Sequence, residues 1–496
     1  MAVDGSEMVL SRPPTTISSL SNELILMIFE EVRLSELALE DENINARKTL
    51  PALRVVCKRF NGLATPIRYR NFTLQTERPI KKRTPQPKIV RKRVAEDVKH
   101  FTQHITVTGK INWLHVVHNN ESLPRLKSIS WNFHARSENW VEQNLSAIPA
   151  SILRPGVTVS VSGTGYYHKI ISLIPPEHVS KLHLGYWHPG HTWDMDAHDA
   201  LDLEYNPKFK DYIIAAKNLE TLNYDLGKLS PPRLAGAAPN FPSFVAGEKM
   251  PALKHLVLTG YHWLHTVKEV KSSWNFSKLE TLDITGMNHD DFFGVVDAKM
   301  FPQLRQLRLG TFACRVPGNR NRKRKQIRLH NFLRGMSQLE VLSMNAYTED
   351  FPLDILMAMK NLKVLELTQA ISFFRGGAPT PRLDMHDLEE LLQYLPQLMR
   401  IHIDFKTWPG NFKRRLLDIV SQFPGLRKIE FNNQGGNMDP SEDLNTFTAM
   451  RKLPNLQRVY IHHGQYVKAG GSGLYDCGNK RWKRHTSSRW AVVGKS

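Results

Sequence analysis

The densest set of side chains able to do chemistry in this chain is HPGHTWDMDAHD at residues 188–199, which holds His188, His191, Asp194, Asp196, His198 and Asp199. Imidazoles and carboxylates are the ligands of borderline and hard divalent metals. The stretch has neither HExxH spacing nor a helical frame that would set two imidazoles on one face, so it reads as a solvated loop and no metal is expected. No GxxxxGK[ST] phosphate loop and no GxSxG nucleophile elbow occur, and GGSG at residues 470–473 reads as a flexible turn. Cys57, Cys314 and Cys477 are odd in number, far apart and without CxxC spacing, which implies no disulfide framework and a reducing compartment. The chain is therefore expected to bind rather than catalyse, with no cofactor.

At 496 residues the chain exceeds a single core, which stops growing near about 250 to 300 residues, while 41% hydrophobic and 23% charged residues match ordinary globular usage. Most of the net charge of +20 sits in three segments, residues 81–93, 320–328 and 480–489, none of which contains Asp or Glu. All three read as Pro- or Asn-punctuated loops, whereas a broad DNA-binding face would spread its cations along folded elements. KKRTPQPKIVRKR reads as an exposed linker whose paired basic groups resemble a bipartite nuclear localisation signal. NRNRKRKQIR reads as a loop that could hold acidic segments or RNA nonspecifically, and GNKRWKRHTSSRW places Trp482 and Trp490 among cations, which permits base stacking. The first residues contain no apolar signal region, and no apolar run approaches the roughly 18 residues of a membrane span. The nucleus or the cytoplasm is the expected location.

Two elements near the start are more apolar than a short helix needs. In LSNELILMIFEEV, residues 20–32, Ser21 can cap a helix beginning at Asn22, with Glu23 at the positive end of the dipole. Leu20, Leu24 and Ile28 form one stripe and Ile25, Phe29 and Val32 another, so two faces require burial. A second helix is expected from Thr49, with Pro51 in its first turn and Leu53, Val56, Cys57, Phe60 and Leu63 on one side, stopped at Thr65-Pro66; PIRYRNF supplies a short third segment. Three helices in about 60 residues carry more apolar surface than they can bury among themselves, which asks for a partner.

These residues, LSNELILMIFEEV followed by LPALRVVCKRFNGLATPIRYRNF, resemble an F-box of the form abundant in fungal F-box proteins. Ser21 stands where the family usually has Pro, and RLSELALEDENINARKT is a longer, acidic spacer than usual. The resemblance implies docking on the Skp adaptor of a cullin-RING (SCF) ubiquitin ligase, with the rest of the chain capturing the target. Transferred by motif position, the adaptor-facing residues are Leu20, Ser21, Glu23, Leu24, Ile28, Leu53, Val56, Cys57 and Phe60.

The remainder repeats L-x-x-L-x-L, as in KNLETLNY, PALKHLVL, SKLETLDI, PQLRQLRL and KNLKVLEL, with leading apolar residues mostly about 23 to 40 positions apart and a weak strand, VTVSVSG, bridging the longest gap. DMHDLEELLQYLPQL and NFKRRLLDIVSQFPGL place a helix, a break and a strand in that order. This is the layout of an irregular leucine-rich-repeat solenoid, an α/β fold with a parallel sheet that is stable only as a stack. Alternation points the leucines inward and leaves a wide, polar sheet face of mixed charge, suited to a protein partner. The target-binding candidates on that face are Thr221, Asn223, Asp225, His255, Thr281, Asp283, Arg308, Glu366, Arg400, His402, Glu430 and Tyr460. Tyr186, Trp187, Tyr261, Trp263, Phe373 and Phe374 follow strands and could anchor a partner at the rim or pack between loops.

The chain is thus read as a disordered N-terminus at 1–15, an F-box at 16–74, a basic linker at 75–95, a repeat domain at 96–464 and a basic flexible tail at 465–496. The function it implies is a non-catalytic substrate receptor of an SCF-type ligase; the alternative is a repeat scaffold or nucleic-acid-associated protein outside any ligase.

Overall fold

The structure, a computed structural model, describes residues 20–38, 49–75, 97–108, 123–134, 148–164, 173–185, 208–225, 244–261, 263–285, 289–310, 321–345, 352–368, 385–404, 412–423, 425–433 and 458–463. The 188–199 loop, the basic linker and both tails lie outside the described residues. By its contacts the chain divides into two compact units, residues 1–163 with 172–174, and residues 164–171 with 175–496.

The first unit opens with helices α1 (Asn22–Ala38), α2 (Thr49–Val56) and α3 (Lys58–Arg70). The single helix expected from Thr49 to Leu63 is instead broken at Cys57, whose extended backbone (φ −160°) and Sγ, accepting from the Phe60 N–H at 3.4 Å, cap a new helix. α3 then continues through Pro66. The proline forfeits one bond to the Gly62 carbonyl, and Gly62 is exposed, so solvent can take the partner's place.

α3 passes without a loop into β1 (Asn71–Gln75), which pairs in parallel with β2 (His104–Thr108), and β2 with β3 (Ser128–His134); β4 (Thr158–Thr164) follows in order. β4 is the weak strand expected at VTVSVSG, whereas β1 and β2 were not expected. The helices bond directly to the ends of these strands. The Tyr69 carbonyl accepts from Thr102 Oγ1 at 3.1 Å, the Arg70 carbonyl accepts from the Gln103 N–H at 2.9 Å, and the Arg54 guanidinium lies 5.4 Å over the Tyr69 ring. Residues 71–75 therefore belong to the sheet as much as to the helical unit.

The second unit holds β5 (Val179–Gly185), β6 (Thr221–Asp225), β7 (His255–Thr259), β8 (Thr281–Thr285), β9 (Gln306–Leu309), β10 (Val341–Asn345), β11 (Val364–Thr368), β12 (Arg400–Asp404), β13 (Lys428–Asn433) and β14 (Arg458–His463). Each pairs in parallel with the next in sequence order. The register puts the central leucine of each repeat in one row, through Leu222, Leu256, Leu282, Leu307, Leu342 and Leu365, and every one is buried. Parallel neighbours need crossovers, and these carry the helices Val267–Ser273, Asn321–Arg334, Met385–Tyr394 and Phe412–Ser421. NRNRKRKQIR was expected to be a loop, but most of it is helical. Leu329, Phe332 and Leu333, at i, i+3 and i+4, are buried and hold that helix on the core. This is an α/β solenoid of leucine-rich-repeat type.

A second row lies one residue before the strands, where the backbone bonds continue: Lys254 N–H to Glu220 O, Glu280 to Lys254, Arg305 to Glu280, Glu340 to Arg305 and Lys363 to Glu340, all 2.8 to 2.9 Å. Their side chains alternate in sign from strand to strand. Lys254 meets Glu220 at 2.7 Å, while Glu340 takes Lys363 at 2.8 Å on one side and Arg305 at 3.1 Å on the other. The hydrogen bond from Lys363 is the main reason the Glu340 carboxyl stays below its ordinary range. Exposed pairs of this kind add little stability singly, but like charges on neighbouring strands repel, so alternation disfavours a skipped or reordered strand. Glu340→Lys, which sets a third cation between Arg305 and Lys363, is expected to melt below Glu340→Gln in a low-salt thermal scan. In about 1 M NaCl, where the Debye length is about 3 Å, the gap should narrow.

Candidate functional site

Two surfaces, one in each unit, are candidates, and the first lies on α1 and α2. Ser21 caps α1, its Oγ accepting from the Leu24 N–H at 3.3 Å. A backbone hydrogen bond at Glu23 and then the Ser21 hydroxyl hold the Glu23 carboxyl below its usual range. Arg59 pins the same end of the helix from α3, with Nε 2.8 Å from Asn22 Oδ1 and Nη2 2.6 Å from the Leu20 carbonyl.

The two stripes of α1 have separate fates. Ile25 and Phe29 enter a core with Phe60, Ala64 and Ile67, flanked by Leu20, Leu26, Val32 and Leu63; Phe29 and Phe60 meet edge to face at 5.4 Å. The other side stays in solvent, with Leu24 47%, Met27 68% and Ile28 39% exposed, and Val55 83% and Val56 62% exposed on α2. Large apolar side chains exposed in contiguous helices mark an interaction surface more often than a scatter of single ones does.

Of the residues that motif position assigned to docking, Ser21, Glu23, Leu24, Ile28, Val56 and Cys57 are exposed and Leu20 is half-buried. Phe60 is a correction: at 3% exposure it is a core residue, because the break at Cys57 separates its helix from Val56. The Leu53 side chain lies outside the described residues. Met27 and Val55 were not expected on this surface. Met27 follows Leu26 in an unbroken apolar run, and a run alone does not say which member faces out.

The second surface is the sheet face of the solenoid. One row aligns Asn223, Val257, Asp283, Arg308, Ser343, Glu366, His402, Glu430 and Tyr460, and a neighbouring row aligns Thr221, His255, Thr281 and, further on, Arg400 with Lys428. Asp225 aligns with Thr259 in a third row. The sequence candidates therefore share one face, with one correction: Thr221 is buried. The Tyr460 side chain lies outside the described residues. Toward β13 the charges answer one another. Arg400 Nη2 is 2.8 Å from Glu366 Oε1 and 3.5 Å from Glu430 Oε2, and Lys428 Nζ is 2.8 Å from Glu430. Asp283 accepts from Thr285 Oγ1 at 3.1 Å, and burial pushes its carboxyl up against the opposing pull of Arg308.

Tyr261 and Trp263 do not line a rim. Both are buried, Trp263 lying 4.8 Å from the rings of Trp274 and of Phe292. Tyr186, Trp187, Phe373 and Phe374 lie outside the described residues. Beside Tyr261, His265 Nε2 is 2.7 Å from the Tyr261 hydroxyl and Nδ1 is 2.9 Å from Glu269 Oε1. Glu269 also accepts from the Phe244 N–H and completes a capping box with Thr266 for the helix Val267–Ser273. Burial holds the His265 imidazole below its ordinary pKa in spite of Glu269.

Among the described residues no helix is long and apolar enough to cross a membrane, and no group of three or more His, Cys, Asp or Glu is placed to hold a metal ion. No protein-family model matches the chain, and no curated protein matches it. Among solved structures it is similar to a leucine-rich-repeat protein of Leptospira interrogans, at 11% identity over 78% of this chain and 94% of that one, with a TM-score of 0.31. It is also similar to the TLR13–ssRNA13 complex, at 14% identity over 77% of this chain and 49% of that one, again with a TM-score of 0.31. The fold assignment rests on this chain's own strand order and register.

Two outcomes follow. Phe60→Ala is expected to lower unfolding free energy by about 3 to 5 kcal/mol, whereas Leu24→Asp should stay within about 0.5 kcal/mol of wild type, both read by chemical denaturation. A histidine whose folded pKa is depressed stabilises the fold while neutral, so that contribution is lost as pH falls below about 6.5, where the unfolded chain takes up the proton first. The melting temperature should therefore drop between about pH 7 and pH 5, and His265→Gln should flatten that slope.

Proposed function

We propose that the chain is a non-catalytic substrate receptor of an SCF-type cullin-RING ubiquitin ligase, acting in the nucleus or cytoplasm. The three helices act as an F-box that binds a Skp-type adaptor, and the leucine-rich repeats hold the target protein. The observation that carries this reading is the exposure of Leu24, Met27 and Ile28 on α1 and of Val55 and Val56 on α2 while Ile25, Phe29 and Phe60 form a buried core. Covering such side chains contributes about 1.5 to 3 kcal/mol each when burial is full, enough for a few of them to drive a stable complex. Such a receptor needs no catalytic group of its own. It acts by proximity, holding the target where its effective concentration beside the ubiquitin carrier is high.

The sheet of the solenoid favours a protein target over nucleic acid. Arg308, Arg400 and Lys428 each have a carboxylate beside them, in Asp283, Glu366 and Glu430. A phosphate backbone is held by cations that are not already answered.

Co-purification with a Skp-type adaptor tests the reading. Wild type should bind, Leu24→Asp and Val56→Asp should each lose binding while keeping the wild-type melting temperature, and Glu366→Ala should bind as wild type does. Absence of adaptor binding by the wild-type chain at micromolar concentration would end the ligase reading.

A further inference from the structure

The sheet face of the first unit has a composition unlike that of the second. Between buried Ile105 and Val107, β2 presents His104, Thr106 and Thr108. Between buried Ile129 and Trp131, β3 presents Ser128, Ser130 and Asn132. The register sets Thr73, Thr106 and Ser130 side by side, with Thr108 beside Asn132. β4 continues the pattern with Thr158, Ser160 and Ser162, alternating with buried Val159 and Val161. All these positions are half-buried or exposed. None is Asp, Glu, Lys, Arg or an aromatic, although 23% of the chain is charged.

Among the described side chains of these rows the one titratable group is also kept uncharged. His104 Nδ1 is 2.8 Å from Ser128 Oγ, and burial, followed by the nearby charges of Lys127, Arg70 and Arg33, lowers its pKa. Arg70 and Lys127 directly precede β1 and β3 and Arg33 lies on α1, with Arg33 and Arg70 both paired with Glu30.

We propose that this face recognises an extended, uncharged polar segment of the target protein, rich in Ser, Thr, Asn and Gln. A face without charge is complementary to a segment without charge. Seating a carboxylate or an ammonium on it would strip water from the ion and return no opposite charge. Hydroxyls and amides both donate and accept, so they can replace the water on neutral side chains and on a peptide backbone. The spacing suits an extended chain, whose alternate side chains repeat at about 6.6 Å, the same interval that separates His104, Thr106 and Thr108 along their strand. The backbone groups of β2 and β3 are committed to strands on both sides, so contact with the face of the sheet is made by side chains. A sugar would want an aromatic platform, and none of the positions named above supplies one; Trp131 of β3 is buried. A phosphate on the segment would bring a charge of about −2 to rows that hold no cation, so phosphorylation would weaken capture.

This inference deepens the receptor reading by naming the chemistry of the target, and it rests on that reading for its role in the cell. The probe is a displayed library of random peptides of about 12 residues, selected on the immobilised full chain without adaptor. Enriched peptides should be depleted in Asp, Glu, Lys and Arg, and their affinity should change less than about threefold between about 50 and 500 mM NaCl. Thr106→Lys and, as a second position at the edge of the sheet, Thr73→Lys should each weaken binding about tenfold or more at an unchanged melting temperature. Lys268→Ala, on an exposed helix of the other unit, should leave it unaltered. Enrichment of charged peptides, a steep salt dependence, affinity indifferent to both lysine variants, or no enrichment overturns the proposal. Adaptor binding, measured on the same preparation, reports separately on the receptor reading.

Discussion

The row of leucines from Leu222 to Leu365 can be dry only if each strand is held in register by both of its neighbours, and the rest of the solenoid follows from that constraint. A shift of one residue would turn the leucines into solvent and the polar face into the core. Hydrophobic burial alone cannot choose among strands that all read L-x-x-L-x-L. The alternating row of Glu220, Lys254, Glu280, Arg305, Glu340 and Lys363 adds discrimination, because skipping one strand would set like charges side by side. Stability comes from one row and order from the other.

The N-terminal helices obey a related rule with a different result. Their core, built on Ile25, Phe29 and Phe60, is formed without the second stripe of α1, so among the described residues Leu24, Met27 and Ile28 stay exposed. Arg59 fixes the start of α1, and α3 is continuous with β1, so the exposed stripe sits on a frame tied at both ends. A surface whose helices are already ordered loses less entropy when a partner binds it.

Much of this could be read from the letters. Leucine periodicity declared the solenoid because the spacing that buries a strand is written directly in the sequence, and the polar residues between the leucines declared the sheet face. Phe60 was misplaced because Val56 and Phe60 lie on one side of a helix only if that helix is unbroken, and the break depends on how Cys57 folds back to cap α3. β1 and β2 are short and lack the leading leucine; Phe72 and Ile105 become strand residues only once α3 delivers the chain to the sheet. The charge alternation was present in the six repeats from Glu220 to Lys363, one position after the leading leucine, but it acquires meaning only when strands far apart in sequence stand side by side. The rings at Tyr261 and Trp263 could not be placed from the letters, because rings that follow a strand suit a rim and a core equally well, and burial decided for the core.

Hydrogen exchange across the whole chain, with and without a Skp-type adaptor, tests the central claim most directly. The exposed stripe should respond as a footprint, with slowed exchange in residues 20–32 and 49–60 and none in β5 to β14. No protection of α1 and α2 at saturating adaptor, or protection confined to the strands, would contradict the assignment of that apolar surface.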